Sequence, residues 1–160
     1  MSSKSSQDYT IENINRDELI LRNLCEDDYD KQYYELLQTL TQAPKPSREE
    51  FKERLNLIKK SGLIHIFVYE YRNVIIASIT VMIEPKFIRN QGNVCHIEDF
   101  VINSNFQKMK LGTALCDFIK TKAQEFKCYK IILDCSDDVK GFYQKQGFTL
   151  KSCGMAYYFS

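Results

Sequence analysis

Three apolar segments stand close together in the middle of the chain: 63–70 (LIHIFVYE), 74–84 (VIIASITVMIE) and 94–102 (VCHIEDFVI). The first two are separated only by a short polar turn at 71–73 and read as a hairpin. The third follows the loop 85–93 (PKFIRNQGN). After this meander the pattern changes. Leu111, Leu115, Phe118, Ile119 and Ala123 form a stripe at helical spacing, and 128–135 (CYKIILDC) is again a short apolar strand. A second helical stretch, 137–147, has Val139, Phe142 and Tyr143 in helix-like spacing and ends at Gly147. A meander followed by alternating strands and helices predicts a mixed α/β sheet with helices on both faces.

The flanking segments complete the order β-α-α-β-β-β-α-β-α-β. Residues 18–24 (ELILRNL) read as a first strand. Asp27 or Asp28 can cap a helix that carries Tyr33, Leu36, Leu37 and Leu40 on one face and is broken by Pro44 and Pro46. Ser47 and Glu50 make a capping box for a further helix, which bears Phe51, Leu55 and Ile58 and stops at Gly62. The last segment, 148–159, is strand-like with an interruption at Gly154. Residues 1–17 read as a disordered polar tail, and 18–160 as one domain.

Composition narrows the function. A net charge of +1 gives no reason to expect nucleic acid or an anionic membrane as the main partner, so anion binding must come from local charge. No apolar run is long enough to span a membrane, and the polar start carries no secretory signal, which leads us to expect a cytoplasmic protein. The six cysteines include no C-x-x-C pair, so they are expected to be reduced and mostly buried, with no metal site. A catalytic Cys–His pair through Cys95 and His96 is disfavoured, because neighbours on a strand point to opposite faces.

Four features can carry chemistry. The junction 102–115 (INSNFQKMKLGTAL) runs from a strand into a helix. Free backbone N–H groups and the positive dipole end in a helix's first turn can hold a pyrophosphate. Here Gln107–Thr113 would supply those groups and Lys108 and Lys110 positive charge; taken alone, the segment is read more simply as an ordinary connection with solvated lysines. The second feature is the adjacent pair Glu98 and Asp99 in a strand. By alternation they face opposite sides, so one of them must point toward a site, a partner or a helix layer, unless the strand is an edge with one acid in water and the other in a salt bridge. The third is Asp134 at the C-terminal end of an apolar strand expected to be buried, where ligands of open α/β sheets collect, although it could instead cap the next helix. The fourth is Tyr143, beside Phe142, although one tyrosine among ten is by itself more simply read as packing.

In this order the segments 59–62 (KKSG), 84–88 (EPKFI), 96–102 (HIEDFVI), 111–115 (LGTAL), 128–135 (CYKIILDC) and 142–148 (FYQKQGF) resemble the GNAT acetyltransferase superfamily, and within it the glucosamine-6-phosphate N-acetyltransferase branch. The resemblance spans residues 19–159. It implies a strongly twisted mixed sheet in which two parallel strands, 94–102 and 128–135, splay apart around acetyl-CoA. It implies a homodimer that acetylates the amine of glucosamine 6-phosphate for UDP-N-acetylglucosamine synthesis, without a covalent enzyme intermediate. By position, Phe100, Val101 and Ile102 would meet the pantetheine and thioester. Gln107, Lys108, Met109, Lys110, Leu111, Gly112 and Thr113 would wrap the pyrophosphate. Lys86, Phe87, Ile88 and Arg89, with Tyr129 and Lys130, would hold the sugar phosphate, some of them across the dimer. Glu98, Asp99 and Asp134 would hold the sugar and its amine.

The implied chemistry needs a neutral amine, oriented by Asp134 with Glu98 as a further proton acceptor. Backbone N–H groups would stabilise the oxyanion, and Tyr143, a weak acid with a reference pKa of about 10, would protonate the thiolate. Cys135 reads as packing. The chain departs from the branch in three places. Lys108 stands where the phosphate loop has a glycine, so any positive φ is expected there. Val139 stands in place of an asparagine, and Tyr158 where fungal enzymes have a basic residue. A different small amine or a lysine as acceptor, or CoA binding without catalysis, are the alternatives these departures leave open.

Overall fold

The computed structural model describes residues 14–152 and 154–159. Five strands form one open sheet in chain order: β1 (Leu19–Asn23), β2 (Ile64–Tyr71), β3 (Val74–Pro85), β4 (Asn93–Ile102) and β5 (Cys128–Ile132). The first four pair antiparallel, and β4 and β5 pair parallel, so the sheet is mixed. The β2–β3 hairpin turns through Arg72 and Asn73, both at positive φ, the backbone that a tight two-residue turn demands.

Helices cover both faces. α1 (Tyr33–Leu37) and α2 (Arg48–Ser61) pack Tyr33, Leu36, Phe51 and Leu55 against Val68, Ile75 and Val101. A single turn, α3 (Ile88–Gln91), joins β3 to β4. On the opposite face α4 (Leu111–Glu125) buries Leu115, Ile119 and Ala123 on Phe67, Ile79, Val81, Cys95 and Ile97. α5 (Asp137–Lys145) follows β5. The capping box at α2 forms as read: Glu50 N–H donates to Ser47 Oγ at 3.2 Å, and Ser47 N–H to the Glu50 carboxylate at 2.8 Å. Gly62 ends the helix at φ +64.

Three expectations are corrected. The helix expected after Asp27 or Asp28 is broken into a 3-10 turn, Glu26–Asp30, and the short α1, with Gln32 left-handed between them. Cys25, not an aspartate, occupies the cap position. Asp28 is drawn inward instead: it is fully buried, takes both terminal nitrogens of Arg22 at 2.6 and 2.7 Å, and accepts from Cys25 N–H at 2.8 Å. The segment 148–159 forms no strand among its described residues, and Leu150, Met155, Tyr157, Tyr158 and Phe159 stand exposed. Strand-like alternation supplies a pattern, but a strand forms only by backbone pairing, and these described residues do not pair with the open edge that β5 offers. Third, β5 is not buried: it is an edge strand with Tyr129 and Ile132 exposed. Residues 1–13 of the expected tail lie outside the described residues. Of its described residues, Ile14 is buried among Tyr71, Phe106 and Met109, and Asn15, Arg16 and Asp17 are exposed.

Arg22, Asp28, Lys31 and Glu70 form one ion network that ties β1, β2 and the 3-10 turn together. Burial alone would raise the Asp28 carboxyl, but the hydrogen bonds from Arg22 and from Cys25 N–H outweigh it and hold it below its ordinary 3.8. A folded-state pKa below the unfolded value means that this stability is present above pH 4 and is lost as acid protonates the group. Replacing Asp28 with Ala should cost about 2–3 kcal/mol in urea unfolding at pH 7, the lower side of a broken buried pair because Arg22 keeps Glu70 and reaches solvent. The difference from wild type should shrink below about pH 4.

Candidate active site

Strands β4 and β5 run together only from Asn93↔Cys128 to His96↔Ile132, and β4 then continues alone to Ile102. The result is a fork, one side of which is the backbone of residues 97–102. Phe100 lies on that side and meets Phe142 and Tyr143 of α5 at ring distances of 6.4 and 6.5 Å. Tyr143 also packs edge-on to Phe142 and Phe148. Burial among these rings pushes its hydroxyl up to about 12, so at neutral pH it is a donor.

The phosphate-loop candidate lies at the mouth of the fork. Ser104–Met109 is a 3-10 turn anchored by buried Phe106 and Met109, which leaves Gln107, Lys108 and Lys110 exposed. The positive φ falls on Lys110 (φ 61), the residue before α4, and not on Lys108, which stays within the turn. The change of hand is needed where the 3-10 turn hands over to the α-helix, one step later than the glycine pattern suggested. The first α4 N–H with a backbone acceptor in the helix is that of Ala114, to Lys110 O, so those of Leu111, Gly112 and Thr113 point outward, as in any first turn. Gly112 serves close packing: a β-carbon there would lie 3.0 Å from Phe142 Cζ and 3.4 Å from Ile102 Cδ1. Gln146 donates to Thr113 Oγ1 at 3.1 Å and ties α5 to the same turn.

The two acids are not on opposite sides. Thr80 pairs with Glu98 and Ser78 with Val101, so Asp99 and Phe100 together oppose the single residue Ile79. This β-bulge, with Asp99 at φ 46, resets the alternation. Cys95 and Ile97 before it, and Phe100 and Ile102 after it, all face α4. Glu98 shares a face with its cross-strand partner Thr80, on the side of α1 and α2. There a cavity of about 480 Å³ is lined by Thr80 and Asp99, by Tyr33, which the sequence marked only as a helix-face residue, and by Thr41 and Arg54, which it did not single out. Their only signal in the sequence was position on or after helices that had to cover this face.

Asp134 lies two residues beyond β5 and is exposed. It does not cap α5, whose cap residue is Ser136. The C-terminal segment passes beside it: a β-carbon on Gly154 would lie 3.4 Å from Asp134 Oδ1. Cys135, read as packing, is exposed, whereas Cys95 and Cys116 are buried with thiols pushed up to about 12 and 11. Cys153 lies outside the described residues. His96 Nε2 is 2.9 Å from Glu84, so the histidine is engaged with a carboxylate.

The basic candidates gather elsewhere. Arg89 and Lys130 lie over the Tyr129 ring, and a β-carbon on Gly92 would lie 3.0 Å from Tyr129 Cδ1. Lys86 pairs with Glu84, and Phe87 and Ile88 are exposed. This cluster stands at the start of β4, roughly 16 Å along the strand from Glu98 by the rise per residue. The sequence candidates thus form two groups in one chain. Five of the nine non-glycine residues at positive φ among the described residues are Arg89, Asn90, Gln91, Asp99 and Lys110, so backbone strain concentrates at the candidate segments.

Residues 25–148 match the Acetyltransferase (GNAT) family. Glucosamine 6-phosphate N-acetyltransferase 1 of Dictyostelium discoideum is 41% identical over 145 residues, 89% of this chain and 92% of that protein. The Arabidopsis thaliana glucosamine 6-phosphate N-acetyltransferase is 39% identical over 142 residues, 87% and 95% of the two chains. Its crystal structure superposes with a TM-score of 0.85, covering 89% of this chain and 99% of that one. A Trypanosoma brucei acetyltransferase structure follows at 0.83 and 34% identity, covering 88% and 99%.

Substituting Gly112 by Val should cost about 1–3 kcal/mol, because Phe142 must move to admit the new methyl groups. In thermal unfolding that cost should shrink when Phe142 is also replaced by Ala, the coupling expected of a direct contact.

Proposed function

The chain belongs to the GNAT acetyltransferase family, and from that premise we propose that it transfers the acetyl group of acetyl-CoA to the amine of D-glucosamine 6-phosphate, giving N-acetylglucosamine 6-phosphate. The observation that carries this reading is the fork: a stretch of β4 freed from β5, with the half-buried Tyr143 on one flank and the first turn of α4 on another. The residues present fit a CoA thioester. The first-turn N–H groups of Leu111, Gly112 and Thr113 and the exposed Lys108 and Lys110 suit the pyrophosphate, and the freed backbone of Phe100, Val101 and Ile102 suits an amide-bearing arm. Bound there, acetyl-CoA supplies an activated acyl carbon and a thiolate leaving group.

The acceptor amine must lose a proton to attack. Asp134, exposed at the end of β5, orients the amine, and Glu98 is the further proton acceptor. Backbone N–H groups of β4 face the carbonyl oxygen as negative charge develops on it. Tyr143, protonated up to about 12, donates to the departing sulfur. Nothing in this sequence requires a covalent enzyme intermediate or a metal.

The basic cluster of Lys86, Phe87, Ile88, Arg89, Tyr129 and Lys130 is too far along β4 to serve the acids of its own chain. In a homodimer it serves the other protomer's acceptor. The exposed apolar run of Met155, Tyr157, Tyr158 and Phe159 supports such an assembly, since a monomer gains nothing by displaying it. No helix among the described residues is long and apolar enough to cross a membrane. A cytoplasmic place and the supply of N-acetylglucosamine 6-phosphate for UDP-N-acetylglucosamine synthesis belong to the same reading.

Incubation with acetyl-CoA and glucosamine 6-phosphate should release free CoA well above the buffer rate, and turnover no faster than buffer would overturn the assignment. Replacing Tyr143 with Phe should lower kcat by about 10²-fold with little change in the KM for the sugar. Because the tyrosine keeps its proton to about 12, its contribution to kcat should persist through pH 9–10 and not fall near 10 as for an ordinary phenol.

A further inference from the structure

The chemistry of the fork is divided between two helices. The first-turn N–H groups of Leu111, Gly112 and Thr113 belong to α4, and Tyr143 belongs to α5. Strand β5 and the loop after it separate these helices in the chain, so nothing local keeps them in register. They meet at Gly112 and at Thr113. Phe142 lies against Gly112, where a β-carbon would come within 3.0 Å of its ring. That contact is apolar and non-directional, so it limits how closely the helices approach and not how far α5 is turned or slid. At Thr113 the contact is directional: the Gln146 side-chain amide donates to Thr113 Oγ1 at 3.1 Å, from 33 residues along the chain. A hydrogen bond weakens steeply with angle, so this one sets the register. Among the described residues no other hydrogen bond joins the two helices.

Gln146 is also fixed to the helix that carries the tyrosine. Its own N–H donates to the carbonyls of Phe142 and Tyr143 at 3.2 and 3.0 Å. One residue therefore holds the backbone of Tyr143 with its main chain and the first turn of α4 with its side chain. The threonine is committed to this contact. Thr121, in the same helix, donates its hydroxyl to Asp117 O, four residues back, whereas Thr113 accepts from Gln146. Taking the acetyltransferase reading above as its basis, we infer that Gln146 is a positioning residue: through Thr113 it registers the Tyr143 donor against the turn that seats the pyrophosphate of acetyl-CoA. The tyrosine then stands at a set distance from the phosphates, because both are referred to one turn. The coupling is reciprocal. A pyrophosphate on the N–H groups of Gly112 and Thr113 stiffens the turn that Gln146 grips, and so holds α5.

The test compares wild type, Gln146→Ala and Gln146→Met, each alone and combined with Tyr143→Phe. Methionine keeps the length of the side chain and removes the donor. With acetyl-CoA and glucosamine 6-phosphate, either Gln146 variant should lower kcat by about 3- to 10-fold, the size of one net hydrogen bond, and leave the KM for the sugar unchanged. In the Tyr143→Phe background the same change should leave kcat almost unaltered, since no donor remains to be placed. A melting temperature close to wild type will show that the fold is kept. A second readout needs no turnover. CoA added to wild type should slow amide hydrogen exchange in both α4 and α5, and in Gln146→Ala it should slow exchange in α4 only. An unchanged kcat in both Gln146 variants, or a loss that persists in full without the tyrosine hydroxyl, overturns the positioning role alone. Protection of α5 by CoA that survives in Gln146→Ala also overturns it. A wild type that does not acetylate glucosamine 6-phosphate overturns the function assigned above, and the exchange measurement then decides the coupling by itself.

Discussion

Between Glu98 and Val101, strand β4 carries one residue more than β3 can pair with. The extra residue is accommodated by a left-handed backbone at Asp99, at a cost of order 1–2 kcal/mol for a residue with a β-carbon. Everything in the candidate site depends on that insertion. It turns Phe100 toward α4 and Tyr143, and it leaves Asp99 on the wall of the cavity under α1 and α2. Without it, strict alternation would send Asp99 into the apolar layer, where an unpaired carboxylate is untenable.

The bulge works together with the fork. β5 stops following β4 after His96, just before the bulged stretch, so the re-aimed residues face a gap and not a neighbouring strand. α4 begins at the same end, brought close by Gly112, and α5 is fastened to it through Gln146 and Thr113. One end of β4 therefore meets a tyrosine donor, a helix N-terminus and two carboxylates. Its other end carries the basic cluster, too far away to join them within one chain. The strained backbone at Arg89–Gln91, Asp99 and Lys110 sits at the same places. The stability to tolerate it comes from apolar layers on both faces and from the Arg22–Asp28–Glu70 network, far from the chemistry.

Local chemistry was legible in the sequence wherever neighbours in the chain settle the outcome. The Ser47–Glu50 box, the Gly62 stop, the β2–β3 hairpin and the α4 stripe all formed as read, because caps, turns and helical periodicity involve residues within a few positions of one another. Reading failed where a distant partner decides. The helix after Asp27 broke because Arg22 pulls Asp28 inward, and the last strand did not form because alternation does not by itself bring a segment onto the open edge of β5. Lys108 was expected to take the left-handed turn, yet the hand-over from 3-10 to α geometry put it on Lys110.

The sequence alone determined the mixed sheet, its helices and the membership of the chain in an acetyltransferase family, because periodic burial and the order of the motifs are properties of the chain itself. It also marked the acids, the tyrosine and the strand-to-helix junction as the residues to examine. Only the tertiary structure decided which of them meet. The bulge shows itself in the register against β3, the fork in where β5 leaves β4, and the cavity of Arg54 and Asp99 in how α2 packs across the sheet. Each is a relation between segments far apart in sequence, and a single strand or helix read by itself contains no trace of it.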